Sequence, residues 1–564
     1  MHRALGLIML SALAYAEMLP LRFVGNDRIS TKQLYESLNL YVPSAIEIWE
    51  KPPAIDPVSL SQTLSALNSF YRSKGFYHAR IDGQAANNAI TVTITENRPV
   101  TVETVQVNSP LDVDSAIALE SGERFDQEKF SETKSALKKR YAEAGYCNAN
   151  FNTKAWVDIE TDQAHLLFEA TPGELCTFGK IAVETTPNID GNLTAAMLRF
   201  KEGDPYSLEA IRQSYEALYA QEGITRVTIN DTLREGNSVP ITLNIDEEEQ
   251  PIRFSAGLGY SSDQGITAQT GIKHRNFFGN LKTLALNAKY SDIKQEASGV
   301  LTMPLENGYL LGSETGYKNE IFDGYKTAST YEQISAKYQN RPVSVVGGIL
   351  FDSVRTYDSS DLVTFPNSAI FLSSPFGEFN YDTRNKPLEP TKGYWFNARL
   401  SGSQKFPALS EATYFKSLLS GAYLTSIDEQ VFGVKLKWGT LRVYDGIVPS
   451  SYRFYAGGMN SNRAYTYRDL GPKNSNGDPV GFLSLVEGSF EYRFPIYEAF
   501  RGVLFTDFTF ASDRYIPNYA TDAYYGVGVG LRYVTPVGPI AIDVGVDPGD
   551  TSQYALHFRI GELF

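Results

Sequence analysis

Tyr525-Gly-Val-Gly-Val-Gly-Leu-Arg-Tyr533 alternates large apolar side chains (Tyr525, Val527, Val529, Leu531, Tyr533) with small or charged ones (Gly526, Gly528, Gly530, Arg532). A period of two belongs to a β-strand whose faces meet different surroundings. The nine residues from aromatic to aromatic match the ~9–11 that a tilted membrane-crossing strand needs. Both aromatic ends then fall at membrane interfaces. The next two segments repeat the pattern: Ile540, Ile542, Val544 and Val546 oppose Asp543 and Asp547, and Tyr554, Leu556, Phe558 and Ile560 oppose His557 and Arg559. One face meets lipid and the other a polar lumen.

Working outward, the alternation begins near Ile252. Roughly 310 residues at about 20 per strand and connection give about 16 antiparallel strands. Such a sheet must close, because an open edge in lipid leaves backbone groups unpaired. The simplest count places Pro548 to Gln553 outside and Phe564 in the periplasm.

Upstream the period changes. Tyr71-x-x-x-Gly75, Tyr141-x-x-x-Gly145 and Tyr219-x-x-x-Gly223 form an internal repeat. Each copy reads as an amphipathic helix, a Gly that can stop it in the left-handed conformation, and a β-like run such as Phe76 to Ile81. The second helix, Asp126 to Glu143, carries Phe130, Leu137 and Tyr141 on one stripe. The copies close with Ile90 to Thr95, Ala164 to Ala170 and Pro240 to Ile245. The expected organisation is three α+β modules (17–98, 99–172 and 173–250), each ordered strand, helix, helix, strand, strand. An all-β transmembrane barrel (251–564) follows them.

The first residues, with His2 and Arg3, an apolar run from Ala4 to Ala14 and small residues at Ala14 and Ala16, read as a cleavable secretory signal over 1–16. No later stretch approaches the length of an apolar spanning helix, while Tyr (35) and Phe (32) are plentiful, as aromatic girdles require. With 51 basic against 65 acidic residues, no electrostatic footprint for nucleic acid is present. The two cysteines, Cys147 and Cys176, are compatible with a disulfide or with two buried thiols, and spacing does not choose between them.

Nothing points to an enzyme: there is no Gly-x-Ser-x-Gly, no His-Glu-x-x-His, and only five His. Gly526 to Gly530 lies in a strand and is no phosphate loop; His274 and His557 belong to no metal constellation. Neither a metal nor a cofactor is expected. The segment Arg453 to Pro472 is too polar and Gly-rich for a lipid-facing strand and reads as a long loop. Glu487, Glu491, Arg493 and Asp507 face inward by alternation. An Arg folded into the lumen can therefore meet carboxylates there, with Arg463 to Asp507 and Glu491 as the leading set. The alternative, a solvated outer loop and a polar channel lining with no specific partner, is the one that composition alone favours.

Three motifs in order carry a resemblance: Tyr381-Asp-Thr-Arg-Asn-Lys-Pro-Leu-Glu-Pro-Thr-Lys-Gly393, the loop Asn462-Arg-Ala-Tyr465 with Leu470-Gly-Pro472, and Phe505-Thr-Asp507. With the three modules, they resemble the barrel superfamily of outer-membrane assembly and two-partner secretion, whose periplasmic modules are called POTRA. Within it the chain is most similar to the TamA type, the barrel of the translocation and assembly module. The resemblance implies residence in a Gram-negative outer membrane and an Arg463 held by Asp507 and Glu491, with Tyr465 beside it. Asn462 and Ala464 stand where that family usually has Val and Gly, and Thr509 where it often has Gly.

It further implies a lateral seam between the first and last strands, with Arg253, Gly257 and Tyr260 on one side and Tyr554, Phe558, Gly561 and Phe564 on the other. The expected partners are a TamB-like inner-membrane-anchored periplasmic protein, unfolded outer-membrane protein clients such as autotransporters, and the lipid bilayer. The alternatives are a two-partner-secretion transporter, a BamA-type general insertase and, from a different class, an outer-membrane enzyme or passive porin.

Overall fold

A computed structural model describes residues 18–42, 52–86, 88–386, 389–497, 499–535 and 540–560. The expected signal over 1–16 and the seam candidates Gly561 and Phe564 lie outside them. The chain divides into two compact units: the first two modules with part of the third, and the rest of the third with the barrel.

Module one comprises β1 (Leu19–Val24), α1 (Thr31–Ser37), β2 (Ala54–Ile55), α2 (Leu60–Ser73), β3 (Arg80–Ala86) and β4 (Ala89–Thr95), in sheet order β2-β1-β4-β3. Ser30 and Gln33 close a reciprocal capping box at the start of α1. Module two holds β5 (Thr101–Asn108), α3 (Gln127–Glu143), β6 (Asn150–Asp158) and β7 (Gln163–Thr171), in order β5-β7-β6. Module three holds β8 (Thr177–Glu184), α4 (Gly191–Ala195), α5 (Leu208–Tyr219), β9 (Ile224–Asn230) and β10 (Ser238–Glu247), in order β8-β10-β9.

The Tyr-x-x-x-Gly repeat is a helix stop. Gly75 and Gly145 take φ of +86° and +89°, and the N–H groups of Phe76 and Tyr146 reach back to the carbonyls of Tyr71 and Tyr141 at 2.9 and 3.0 Å. Phe76 is therefore a buried core residue, and the strand expected from it begins only at Arg80. In module two the first helix shrinks to a 3-10 turn, Asp114–Ala116, while Val113 and Leu119 still reach the core. The third copy departs further: Tyr219 is 50% exposed, Leu218 takes the buried position, and Gly223 has no positive φ. That Gly is required for close approach, since a Cβ there would stand 2.7 Å from the Arg275 carbonyl.

One joint recurs along the chain. The carbonyl of Gly75 accepts from Val100 N at 2.8 Å, that of Gly145 from Cys176 N at 2.9 Å, and that of Gly223 from Glu248 N at 2.9 Å. The following segment then closes back through Phe125 N to Val100 O, Tyr206 N to Cys176 O, and Arg275 N to Pro251 O. At the second joint Cys147 and Cys176 form a disulfide, which settles the alternative that spacing left open.

The barrel is one 16-stranded sheet in sequence order, every neighbouring pair antiparallel. Its strands are β11 (Ile252–Ser261), β12 (Gly265–His274), β13 (Thr283–Tyr290), β14 (Lys294–Pro304), β15 (Tyr309–Phe322), β16 (Tyr325–Asn340), β17 (Val343–Tyr357) and β18 (Ser368–Asp382). Then follow β19 (Gly393–Ser403), β20 (Thr413–Ile427), β21 (Gln430–Asp445), β22 (Ser484–Tyr497), β23 (Phe500–Ser512), β24 (Ala523–Tyr533), β25 (Ile540–Asp547) and β26 (Asp550–Ile560). The alternation is realised on β24 to β26: Val529, Ile542 and Leu556 are exposed, whereas Arg532, Asp543 and His557 are buried. Only Pro548 and Gly549 lie between β25 and β26, so the outer connection expected over Pro548 to Gln553 is a tight turn and the strand starts at Asp550.

Candidate functional site

The chain between β21 and β22 folds back against the inner wall. Phe454 and Ala456 make isolated bridges to Phe482 and Leu470, fastening one segment of the loop to two others. Gly457 and Gly458 take φ of +96° and +103° at its bend. Phe454, Ala456, Leu470 and Phe482 are buried against Leu372, Tyr414, Leu441 and Ala511 of the wall. This apolar burial anchors a segment whose polarity alone would leave it in solvent.

Arg463 is 0% exposed. Its Nε and Nη2 donate to the two oxygens of Asp507 at 2.9 Å each, in a bidentate fork. Its Nη1 donates to Glu491 Oε2 at 2.9 Å, Nη2 also to Ser489 Oγ at 3.0 Å, and its backbone N to Asp507 Oδ2 at 3.0 Å. The guanidinium lies 3.4 Å from the Phe505 ring centroid. Arg493 donates to Glu491 at 2.8 Å, and Arg532 to Asp543 at 2.7 and 3.1 Å. Arg463, Arg493 and Arg532 thus balance Glu491, Asp507 and Asp543, the condition under which buried charges are tolerated.

Tyr465 ties the loop to β25, its hydroxyl donating to Asp547 Oδ2 at 2.5 Å. On another part of the wall Arg468 pairs with Glu320 and lies 4.1 Å from the Phe322 ring centroid. Neither Asn462 nor Ala464 takes a positive φ; the left-handed non-Gly position of the loop is Arg468, at +61°. Replacing the family's Gly by Ala464 therefore does not cost the turn its conformation. Asn462 uses its side chain to donate to Tyr524 O at 3.3 Å and to accept from Ala464 N at 3.2 Å. Thr509 is buried with its Oγ1 unbonded among the described residues.

Sequence reasoning missed the floor beneath this loop. A Cβ on Gly545 would stand 2.2 Å from Arg463 O, one on Gly526 2.4 Å from Asn462 Oδ1, and one on Gly528 2.3 Å from the Phe505 ring. The inward glycines of β24 and β25 admit loop backbone and ring where any side chain would exclude them. The available signal was glycine repeated on one face of a strand.

The seam candidates Arg253, Gly257 and Tyr260 lie on β11, and Tyr554 and Phe558 on β26. Among the described residues no ladder joins these two strands. They approach where β11 runs into its turn: Ser262 N donates to Phe558 O at 3.2 Å, Phe558 N to Ser262 Oγ at 3.3 Å, and the Tyr260 and Phe558 rings lie 6.0 Å apart. Tyr554 faces outward, and Leu258 of β11 is 87% exposed. A cavity of about 400 Å³ opens beside the seam, lined by Gly257, Tyr260, Gln269, Lys289, Met459 and Arg559.

The structure brings loop and seam together through a residue first read only as a lining histidine. His557 of β26 donates from Nε2 to Arg463 O at 3.1 Å, and its Nδ1 lies 3.5 Å from Asp263 Oδ1 in the β11–β12 turn. Asp263 Oδ2 in turn accepts from Met459 N at 3.0 Å.

A model of the Omp85 superfamily domain matches residues 235–564. The chain belongs to the Omp85 superfamily. The POTRA model, described as a surface antigen variable number repeat, matches 20–97 and 100–173. This Omp85 chain is an outer-membrane protein with periplasmic POTRA modules. It is 24% identical over 452 residues to the outer membrane protein assembly factor BamA of Nitratidesulfovibrio vulgaris, covering 75% of this chain and 56% of that protein. To BamA of Neisseria meningitidis it is 21% identical over 506 residues, covering 81% and 62%. The chain thus spans less than two thirds of the length of these relatives. Haemophilus ducreyi BamA lacking POTRA domains 1–3 superposes with a TM-score of 0.61 at 17% identity, covering 82% of this chain and 99% of that one. CdiB from Acinetobacter baumannii gives 0.48 at 15% identity, covering 90% and 99%.

Proposed function

We propose that this Omp85 barrel inserts or exports outer-membrane polypeptides by parting at the β11/β26 seam, with strand edges templating an incoming hairpin by β-augmentation. One observation carries the reading: fifteen neighbouring strand pairs are laddered, while β11 and β26 share none among the described residues. An unpaired edge is a template for another strand. In this reading Arg463, with Glu491, Asp507 and Tyr465, locks the β21–β22 loop against the inner wall while opening proceeds sideways. No covalent chemistry is needed. The names of the BamA relatives support an assembly role. Within it the TamA type, with a TamB-like partner received by the first module and autotransporter-like clients, rests on the motifs quoted above.

The test is a reversible staple. Ser262→Cys and Phe558→Cys, in a chain whose Cys147 and Cys176 are replaced by Ser, are oxidised while insertion of a barrel client is followed. Loss of insertion on oxidation and recovery on reduction support lateral opening. Undiminished insertion through a stapled, folded barrel refutes it and leaves the lumen as the route.

A further inference from the structure

The β12–β13 connection at the periplasmic rim holds an improbable run of backbone. Phe278, Gly279, Asn280 and Leu281 take φ of 59°, 75°, 54° and 60° in succession, a region that L side chains avoid. Such a conformation persists only where its surroundings over-determine it, and here they do. Asn276 accepts from Leu281 N at 2.8 Å through its side-chain oxygen and donates to Glu247 Oε1 at 2.6 Å. Asn280 N donates to Asn188 O at 2.8 Å, and Asp190 N to Asn280 Oδ1 at 3.0 Å. Leu281 is buried.

The product of this bracing is an aromatic held away from the protein. Phe278 is 85% exposed, with its ring centroid 4.1 Å from that of Phe277. Phe277 packs edge-on against His274, 5.6 Å away. His274 pairs with Leu284, and two residues along Ile272 pairs with Leu286. Ile272 and Leu286 are exposed on the lipid-facing side. The aromatic pair thus continues a lipid-facing column past the end of its strands, into the depth where aromatic rings concentrate at membrane interfaces.

We propose that Phe278, seated on Phe277, is an anchor set into the periplasmic leaflet of the outer membrane, two strands from the seam, and that its partner is the lipid surface. The inference stands on the outer-membrane location alone and does not depend on the seam opening.

The full chain, with its disulfide intact so that the native cysteines stay silent, is labelled at Phe278→Cys with an environment-sensitive fluorophore and reconstituted in phosphatidylcholine vesicles. Leu286→Cys on the lipid face serves as the buried reference. Val363→Cys, at a position 93% exposed between β17 and β18, serves as the aqueous one. The expected result is a blue-shifted emission at position 278, quenched by lipids carrying a nitroxide near the headgroup and shielded from aqueous iodide, as at 286. Emission and iodide quenching matching position 363 overturn the proposal. Should the labelled chain not fold, Phe278→Trp read by difference against the parent with brominated lipids gives the same decision: quenching supports the anchor, and none refutes it.

Discussion

Arg463→Met probes the centre of the loop's attachment. The substitution keeps a similar apolar stem and removes four side-chain hydrogen bonds, two to Asp507 and one each to Glu491 and Ser489. Deleting one partner of a buried pair costs about 3–5 kcal/mol, because the other charge is left without compensation. Here the lower end applies: Asp507 keeps Ser489 at 2.7 Å and Glu491 keeps Arg493 at 2.8 Å. A loss of ~3 kcal/mol shifts the docked-to-released ratio of the loop by about 10²-fold. The readout is the rate at which a membrane-impermeant maleimide labels Met459→Cys, a buried position of the loop, in barrels that retain heat-modifiable mobility. Labelling should accelerate with Arg463→Met and slow again, in part, when Asp507→Asn removes the orphaned charge. Equal labelling with and without Arg463 would refute the lock, and a double variant no better than the single would refute the orphaned-charge reasoning.

Gly545→Ala should displace the loop without touching its charges, since the new methyl meets the Arg463 carbonyl 2.2 Å away. Overpacking of this kind costs about 1–3 kcal/mol, read as faster labelling at Met459→Cys. His557→Ala should loosen loop and seam together, seen as faster loop labelling and slower oxidation of the Ser262→Cys, Phe558→Cys pair; Gln, which can still donate to the Arg463 carbonyl, should restore part of both. Replacing Cys147 and Cys176 by Ser opens a cross-link spanning 29 residues. Chain entropy puts its contribution at roughly 3–4 kcal/mol, so the melting of the periplasmic modules should fall while the barrel transition stays in place; an unchanged melt would refute this.

The barrel was legible because its two faces meet different solvents, so each strand carries its own label, as in Tyr525 to Tyr533. The module repeat was legible for the same kind of reason: a helix stop needs a residue that tolerates positive φ, and Gly75 and Gly145 supply it. Gly223 keeps the letter without the positive φ, for the approach of the Arg275 carbonyl alone, an approach that Gly75 also meets from Phe125, and nothing within the third copy distinguishes the two cases. Arg463 was singled out by the resemblance, the residues themselves offering only a cation in a polar loop and carboxylates facing inward. Its setting was not, because Ser489, Arg532, Asp543, Gly528 and Gly545 belong to it only through the register of β22 to β25. Asp263 lies in a turn whose meeting with His557 depends on how the first and last strands converge, a global property with no local pattern.

The recurring joint has a consequence for how such chains vary. At Gly223 the barrel meets the module before it through the same first bond as a further module, from Glu248 N to the Gly carbonyl, while the returning bond, from Arg275 N, falls on Pro251, three residues beyond Glu248. The first half of the coupling is therefore common to module and membrane domain, and only the second half carries the difference between them. A module grafted ahead of this barrel would have to keep its glycine carbonyl free for Glu248 N, and the barrel's own return bond to Pro251 would travel with it.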